Sequence, residues 1–240
     1  MSRTAPDIET RVAALDWAGI ASALDGIGHA VTPPLLTPDD CAALVGAYDD
    51  VTLFRSRVVM ARHGFGQGEY KYFAYPLPAP VAALRAALYP PLARIANRWR
   101  QALGEGGSFP DAHADYLKRC HKAGQRRPTP LLLRYGPGDY NRLHQDLYGE
   151  QVFPLQATIL LSDPARAFTG GAFVLTEQRP RMQSRAEVVA LGQGEAVIFP
   201  VNRRPVEGTR GTYRVAMRHG VSQVRTGRRF TLGIIFHDAA

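Results

Sequence analysis

Cysteine is scarce: the 240 residues hold two, Cys41 and Cys120. That is too few for a disulfide framework or a cysteine-built zinc site, and both are expected to be buried, idle thiols. Long apolar runs are missing too, since none approaches the roughly 20 residues that a bilayer span needs. No signal peptide precedes the acidic start MSRTAPDIET. A cytoplasmic protein without a membrane partner is the expectation. Lysine is the third scarcity, with only Lys71, Lys118 and Lys122 among 29 basic residues. The chain is too short for two full catalytic domains, and its 45% hydrophobic and 21% charged residues exclude wholesale disorder.

What is present is arginine. The net charge is +8, but residues 1–50 hold two basic and eight acidic side chains, a net of −6, which leaves +14 for residues 51–240. A core that basic attracts polyanions, and arginine is favoured where phosphate is gripped bidentately. Coding bias explains an arginine-rich composition equally well, so position has to decide.

The first half reads as helical. Ile8, Val12, Leu15, Ile20 and Leu24 recur at helical spacing, and Thr37-Pro38-Asp39-Asp40 is an N-cap with proline in the first turn. An Ala/Leu/Arg helix follows Pro80 and is expected to break at Pro90-Pro91. Between them, two β-prone arms flank Gly64, Gly66 and Gly68, which predicts a flexible flap over residues 62–75. From Thr129 onward the pattern changes to seven or eight short strands separated by turn residues, without intervening helices. The expected class is α+β: one domain, with helical support over 1–128 and a jelly roll over 129–240.

Leu143-His144-Gln145-Asp146 carries the chemistry. Residues two apart on a strand point the same way, so His144 and Asp146 present an imidazole and a carboxylate to one point. His219, in a later strand, is the available third ligand. Two histidines and one carboxylate with open positions form the facial triad of non-haem Fe(II) oxygenases, although His-x-Asp alone also suits a strand-end turn. Arg229, ten residues past His219, offers a cation for the distal carboxylate of 2-oxoglutarate.

With these residues together the chain resembles the 2-oxoglutarate/Fe(II) dioxygenases of the double-stranded β-helix fold. Tyr135-Gly136-Pro137-Gly138 and Leu143-His144-Gln145-Asp146 are similar to motifs of AlkB-type DNA repair demethylases, and the His219 to Arg229 spacing is closer to the prolyl hydroxylase branch. RPTPLLLRYGPGDYNRLHQDLYGE, EQRPRMQSR and RHGVSQVRTG resemble the bacterial Oxygenase-NA group. The resemblance implies Fe(II) on His144, Asp146 and His219, 2-oxoglutarate on Arg229 and Tyr135, and molecular oxygen as co-reactant. The AlkB pattern has Asn where this chain has Leu133. Thr231 shares the strand face of Arg229, either supporting the cosubstrate or packing in the barrel. Gly170-Gly171 is read first as a tight turn, with close approach of a strand to the metal as the alternative.

The expected activity is oxidative demethylation of N-methylated DNA or RNA, as in DNA repair. Hydroxylation of a prolyl or other protein residue is the runner-up, and a non-catalytic basic nucleic-acid-binding module comes third. Arg126, Arg127, Tyr140 and Tyr70 are the candidate substrate contacts. Arg179, Arg181, Arg185, Arg203 and Arg204 complete the basic loop clusters, with Phe65, Tyr72 and Tyr148 available for stacking. His29, His63, His113, His121 and His237 lack partners at ligand spacing and are expected to be structural, with His63 and His237 within reach of a site edge.

Overall fold

The computed structural model describes residues 6–209 and 211–240, so Arg3 of the N-terminal charge count lies outside the described residues. Five α-helices come first: α1 (Ile8–Ala13), α2 (Trp17–Gly26), α3 (Pro38–Gly46), α4 (Ala79–Ala102) and α5 (His113–Lys122). Among them lie β1 (Ala30–Val31), β2 (Phe54–Val59), β3 (Gly66–Gln67) and β4 (Glu69–Phe73). The second half adds β5 (Leu131–Tyr135), β6 (Tyr140–His144), β7 (Leu155–Leu160), β8 (Phe168–Gly170), β9 (Phe173–Gln178) and β10 (Arg185–Val189). It ends with β11 (Ala196–Pro200), β12 (Arg203–Gly208), β13 (Gly211–Val221), β14 (Val224–Gly227) and β15 (Arg229–Ile235).

The fold is α+β, with a helical N-terminal part against a double-stranded β-helix. The strands form a seven-stranded sheet in the order β1-β11-β7-β15-β5-β4-β2 and a facing sheet in the order β10-β9-β13-β6-β3, with β12 beside β13. Every named pairing is antiparallel. The largest core cluster joins Leu132, Phe230, Leu232 and Ile234 of the major sheet to Leu84, Leu88, Tyr89 and Leu92 of α4. The helices therefore cover the outer face of that sheet and leave its inner face to the cavity.

Local chemistry sets the helix starts. Thr37 accepts from the Asp40 backbone N–H, as the predicted N-cap of α3 requires, and Asp40 accepts from that of Thr37, which completes a reciprocal capping box. Helix α4 corrects the expected break. It runs through Pro90 and Pro91 because Leu84, Leu88, Tyr89, Leu92, Ile95 and Trp99 are buried along its whole length. Packing on both sides of the prolines outweighs the lost backbone hydrogen bonds, a cost of about 3 kcal/mol for an interior proline.

The flap is also corrected. Its arms pair as β2 and β4, but β4 pairs on its other edge with β5, so residues 69–73 are sheet interior. Gly66 bonds into the facing sheet opposite Asn141, where an added Cβ would sit 2.2 Å from the Tyr140 carbonyl oxygen. The segment expected to be a flap therefore ties the two sheets together. Only its tip, residues 62–65, is exposed as a lip. Four strands thus come from the stretch expected to be helical support.

Candidate active site

β6 and β13 bring the predicted ligands together. His144 and His219 face each other directly in the register of these two strands, and their ring centroids lie 4.1 Å apart. Asp146 follows two residues after His144. Its carboxylate oxygens lie 3.6 Å from His144 Nε2 and 3.3 Å from His219 Nε2. One donor atom from each residue falls within 4.8 Å of the other two. Ligands about 2 Å from one metal in adjacent octahedral positions are separated by about 3 Å, so this donor set fits Fe(II).

The surroundings orient the donors. His144 Nδ1 donates to the Arg142 carbonyl oxygen at 2.7 Å, which leaves Nε2 free to face the centre. Tyr148 donates to Asp146 Oδ1 at 2.7 Å and accepts from Tyr72 at 3.0 Å. Gln145 donates to the Asn202 and Met217 carbonyls, anchoring the loop between the two ligands. Burial alone would raise the Asp146 carboxyl. The hydrogen bond and charge of His219, with His144 and Tyr148, instead hold it well below the usual carboxylate range. Burial and the neighbouring His219 push His144 down.

The triad opens on a cavity of about 440 Å³ between the sheets. Its floor is the inner face of the major sheet: Leu131, Leu133 and Tyr135 of β5, Gln156 and Thr158 of β7, and Thr231, Gly233 and Ile235 of β15.

Arg229 begins β15 directly opposite Tyr135, and Thr231 stands opposite Leu133. The Arg229 guanidinium is buried, 2% exposed. Its Nε and Nη1, and the Tyr135 hydroxyl, have no hydrogen-bond partner among the described residues. Burial lowers Arg229 to about 10. An orphaned buried cation beside an orphaned hydroxyl costs several kcal/mol unless an anion meets it, and a carboxylate fits both. Gly171 makes room for it, since an added Cβ would lie 2.9 Å from Arg229 Cδ and 2.8 Å from Val224 Cγ2. The close approach at this glycine is thus to the arginine, and the turn is not its whole reason.

The remaining candidates separate cleanly. Tyr70 lines the cavity, as do Phe65 and Tyr148, whereas Arg126, Arg127 and Tyr140 do not. Arg127 pairs its backbone with Ala239. Arg204 is buried against Glu177 and donates to the Asp25 carbonyl, so it braces the fold and does not face solvent. His63 stacks on Phe65 at 5.3 Å, while His113 and His121 hold the C-terminus. His237 packs behind Tyr148 at 6.0 Å. His29 and both cysteines are buried.

Sequence reasoning missed Gln156, a fully buried amide lining the cavity, although a lone Gln within PLQATILL signals it. It also missed the Tyr72–Tyr148 pair that reaches Asp146, which the sequence offers only as stacking aromatics.

The family model of Oxygenase-NA, described as an oxygenase catalysing oxidative methylation of damaged DNA, matches residues 68–239. The chain is 51% identical over 168 residues to Uncharacterized protein Rv2227 of Mycobacterium tuberculosis, a span covering 70% of this chain and 72% of that one. Among solved structures it is similar to an oxidoreductase of the 2OG-Fe(II) oxygenase family from Burkholderia pseudomallei, with 16% identity, a TM-score of 0.56, and 93% and 92% of the two chains covered. A prolyl-4-hydroxylase of Pseudomonas putida follows the same path, with 14% identity, a TM-score of 0.53, and 93% and 100% covered. At these identities the structural likeness concerns the fold.

Proposed function

The chain belongs to the Oxygenase-NA family and is a 2-oxoglutarate/Fe(II)-dependent dioxygenase, and from that premise we propose that it removes methyl groups oxidatively from N-methylated DNA or RNA. In this reading His144, Asp146 and His219 hold the iron, while Arg229, Tyr135 and Thr231 hold 2-oxoglutarate. When bound, these groups supply the oxidation: 2-oxoglutarate and oxygen become succinate and carbon dioxide, and one oxygen atom enters a methyl C–H bond. The resulting N-hydroxymethyl group breaks down to formaldehyde and the unmodified base.

The chain's own part is placement. The observation that carries the nucleic-acid reading is the mouth of the cavity, where Phe65, Leu143 and Leu147 stay 47%, 48% and 47% exposed while lining it. Arg142, also exposed, lies among them. Exposed apolar side chains around an opening mark a binding surface, and Phe65, backed by His63, presents a flat face to a base. A methylated base in a duplex reaches the iron only after flipping out, which costs a few kcal/mol. Stacking at the lip offsets about 1–3 kcal/mol of that, and the +14 of residues 51–240 favours the phosphates.

The ten-residue spacing from His219 to Arg229 favours a second reading, hydroxylation of a protein residue. Formaldehyde release from methylated oligonucleotides, abolished in His144→Ala, tests the first. Binding that weakens with salt at a log–log slope of about −0.7 to −0.9 per phosphate contact separates it from the second. An iron-loaded enzyme that turns over 2-oxoglutarate yet leaves every methylated oligonucleotide intact sinks the nucleic-acid reading.

A further inference from the structure

Gln156 occupies an inward position of β7, is 2% exposed, and leaves its Nε2 without a partner among the described residues. β7 lies between β11 and β15, whose backbones are engaged in the ladder opposite it. The side-chain amide is therefore left facing the cavity it lines. A buried amide donor without an acceptor costs about 1–3 kcal/mol, so the position makes sense only when something in the cavity accepts from it.

The buried unpartnered atoms of this floor, and those of Arg229 beside it, can all donate. Arg229 Nε and Nη1 and the Tyr135 hydroxyl stand at one end of β15; Gln156 Nε2 stands opposite Ile235, at the other end. Donors at two ends of one floor match a ligand with acceptors at both of its ends, which is a diacid. The Gln156 end is also the metal end. Ile235 packs with Tyr148 and Leu131, and Tyr148 donates to Asp146.

We infer that Gln156 donates its amide to the keto-acid carboxylate of 2-oxoglutarate, the end nearer the iron, while Arg229 and Tyr135 take the distal carboxylate. This rests on the cosubstrate assignment of Arg229 and is independent of the nucleic-acid reading. It gives the site a neutral anchor at the iron end to complement the cationic one of Arg229.

The test is equilibrium binding of 2-oxoglutarate to the Fe(II)-loaded protein without oxygen, read from the visible charge-transfer band of the complex. Gln156→Leu is expected to fold at least as stably as the parent, because it removes an unsatisfied polar group, and to keep its affinity for Mn(II) alone. Its dissociation constant for 2-oxoglutarate should rise about tenfold to a hundredfold, the range of one hydrogen bond to a charged group. Gln156→Glu, which sets carboxylate against carboxylate, should bind more weakly still. Unchanged 2-oxoglutarate affinity in a folded, metal-binding Gln156→Leu protein overturns the inference. If that same variant instead loses affinity for a methylated oligonucleotide, the amide serves the substrate. A parent protein that shows no such band refutes the Arg229 assignment as well.

Discussion

At the scale of single residues, the end of the site proposed for the cosubstrate is defined by what is left unsatisfied. Arg229 is buried with two of its guanidinium nitrogens idle, a state that no folding argument explains and that a bound carboxylate does. Gly171 is the residue that permits it. With φ at +60° and no space for a Cβ against Arg229 Cδ, it faces both a backbone and a steric demand. Gly171→Ala is expected to cost about 1 kcal/mol or more of stability from the left-handed backbone alone. It should also displace the arginine side chain, raising the KM for 2-oxoglutarate severalfold while leaving Mn(II) affinity intact. A thermal melt and a 2-oxoglutarate titration check the two effects separately. The triad itself was legible because His-x-Asp is a local pattern, although Asp146 lies two residues past the end of β6 and is aimed by the loop there, not by strand alternation. Gln156, Gly171 and the Tyr148 hydroxyl were not, because their roles depend on which strand lies opposite, and that is set by long-range pairing.

At the scale of elements, strand propensity and turn residues announced the jelly roll, while the boundary between its parts did not follow composition. β2 and β4 belong to the first half of the chain by sequence and to the major sheet by hydrogen bonding. Helix α4 shows the same override, since its burial runs through a proline pair that local rules read as a stop. The tip between β2 and β4 is the part of this element that faces the mouth of the cavity. Phe65 is exposed there, and its backbone N–H donates to the Met60 carbonyl. Its side chain holds little of the fold together, which makes Phe65→Ala a clean probe. Stability should change by less than about 0.5 kcal/mol. Affinity for a methylated single strand should fall by about 1–3 kcal/mol if a base stacks on the ring, with the substrate-independent turnover of 2-oxoglutarate unchanged. Fluorescence anisotropy with a labelled oligonucleotide measures it, and equal affinities would remove Phe65 from the interface.

At the scale of the whole molecule, the positive charge proved to have several destinations. Arg204 and Arg85 are internal braces, Arg229 is buried beside the Tyr135 ring, and Arg142 stands at the mouth. The brace around Arg85 ties the helical part to the end of the chain. Its guanidinium meets Asp238 at 2.8 Å, donates to the Ile235 carbonyl, and lies beside His113, which bonds the Phe236 carbonyl at 2.8 Å. Burial and the Arg85 charge push His113 down to about 4, against a backdrop of Tyr89 and Phe236. A histidine depressed in the folded state stays neutral there while the unfolded chain protonates near pH 6.5. The unfolded state then binds more protons, so stability is full above pH 6.5 and is lost as pH falls toward 4. Asp238 adds a later loss. Burial alone would raise its carboxyl, but Arg85, with hydrogen bonds from His121 and Tyr75, holds it below the usual range. Its contribution is present above about pH 3.9 and fades only as pH drops through the lowered value. The melting temperature should therefore decline between pH 6.5 and 4 in low-salt buffer. His113→Gln, which keeps a donor for Phe236 and cannot titrate, should flatten that decline while lowering the melting temperature at pH 7.5. A variant whose melting temperature falls with pH as steeply as the parent's would show that other groups bind the protons.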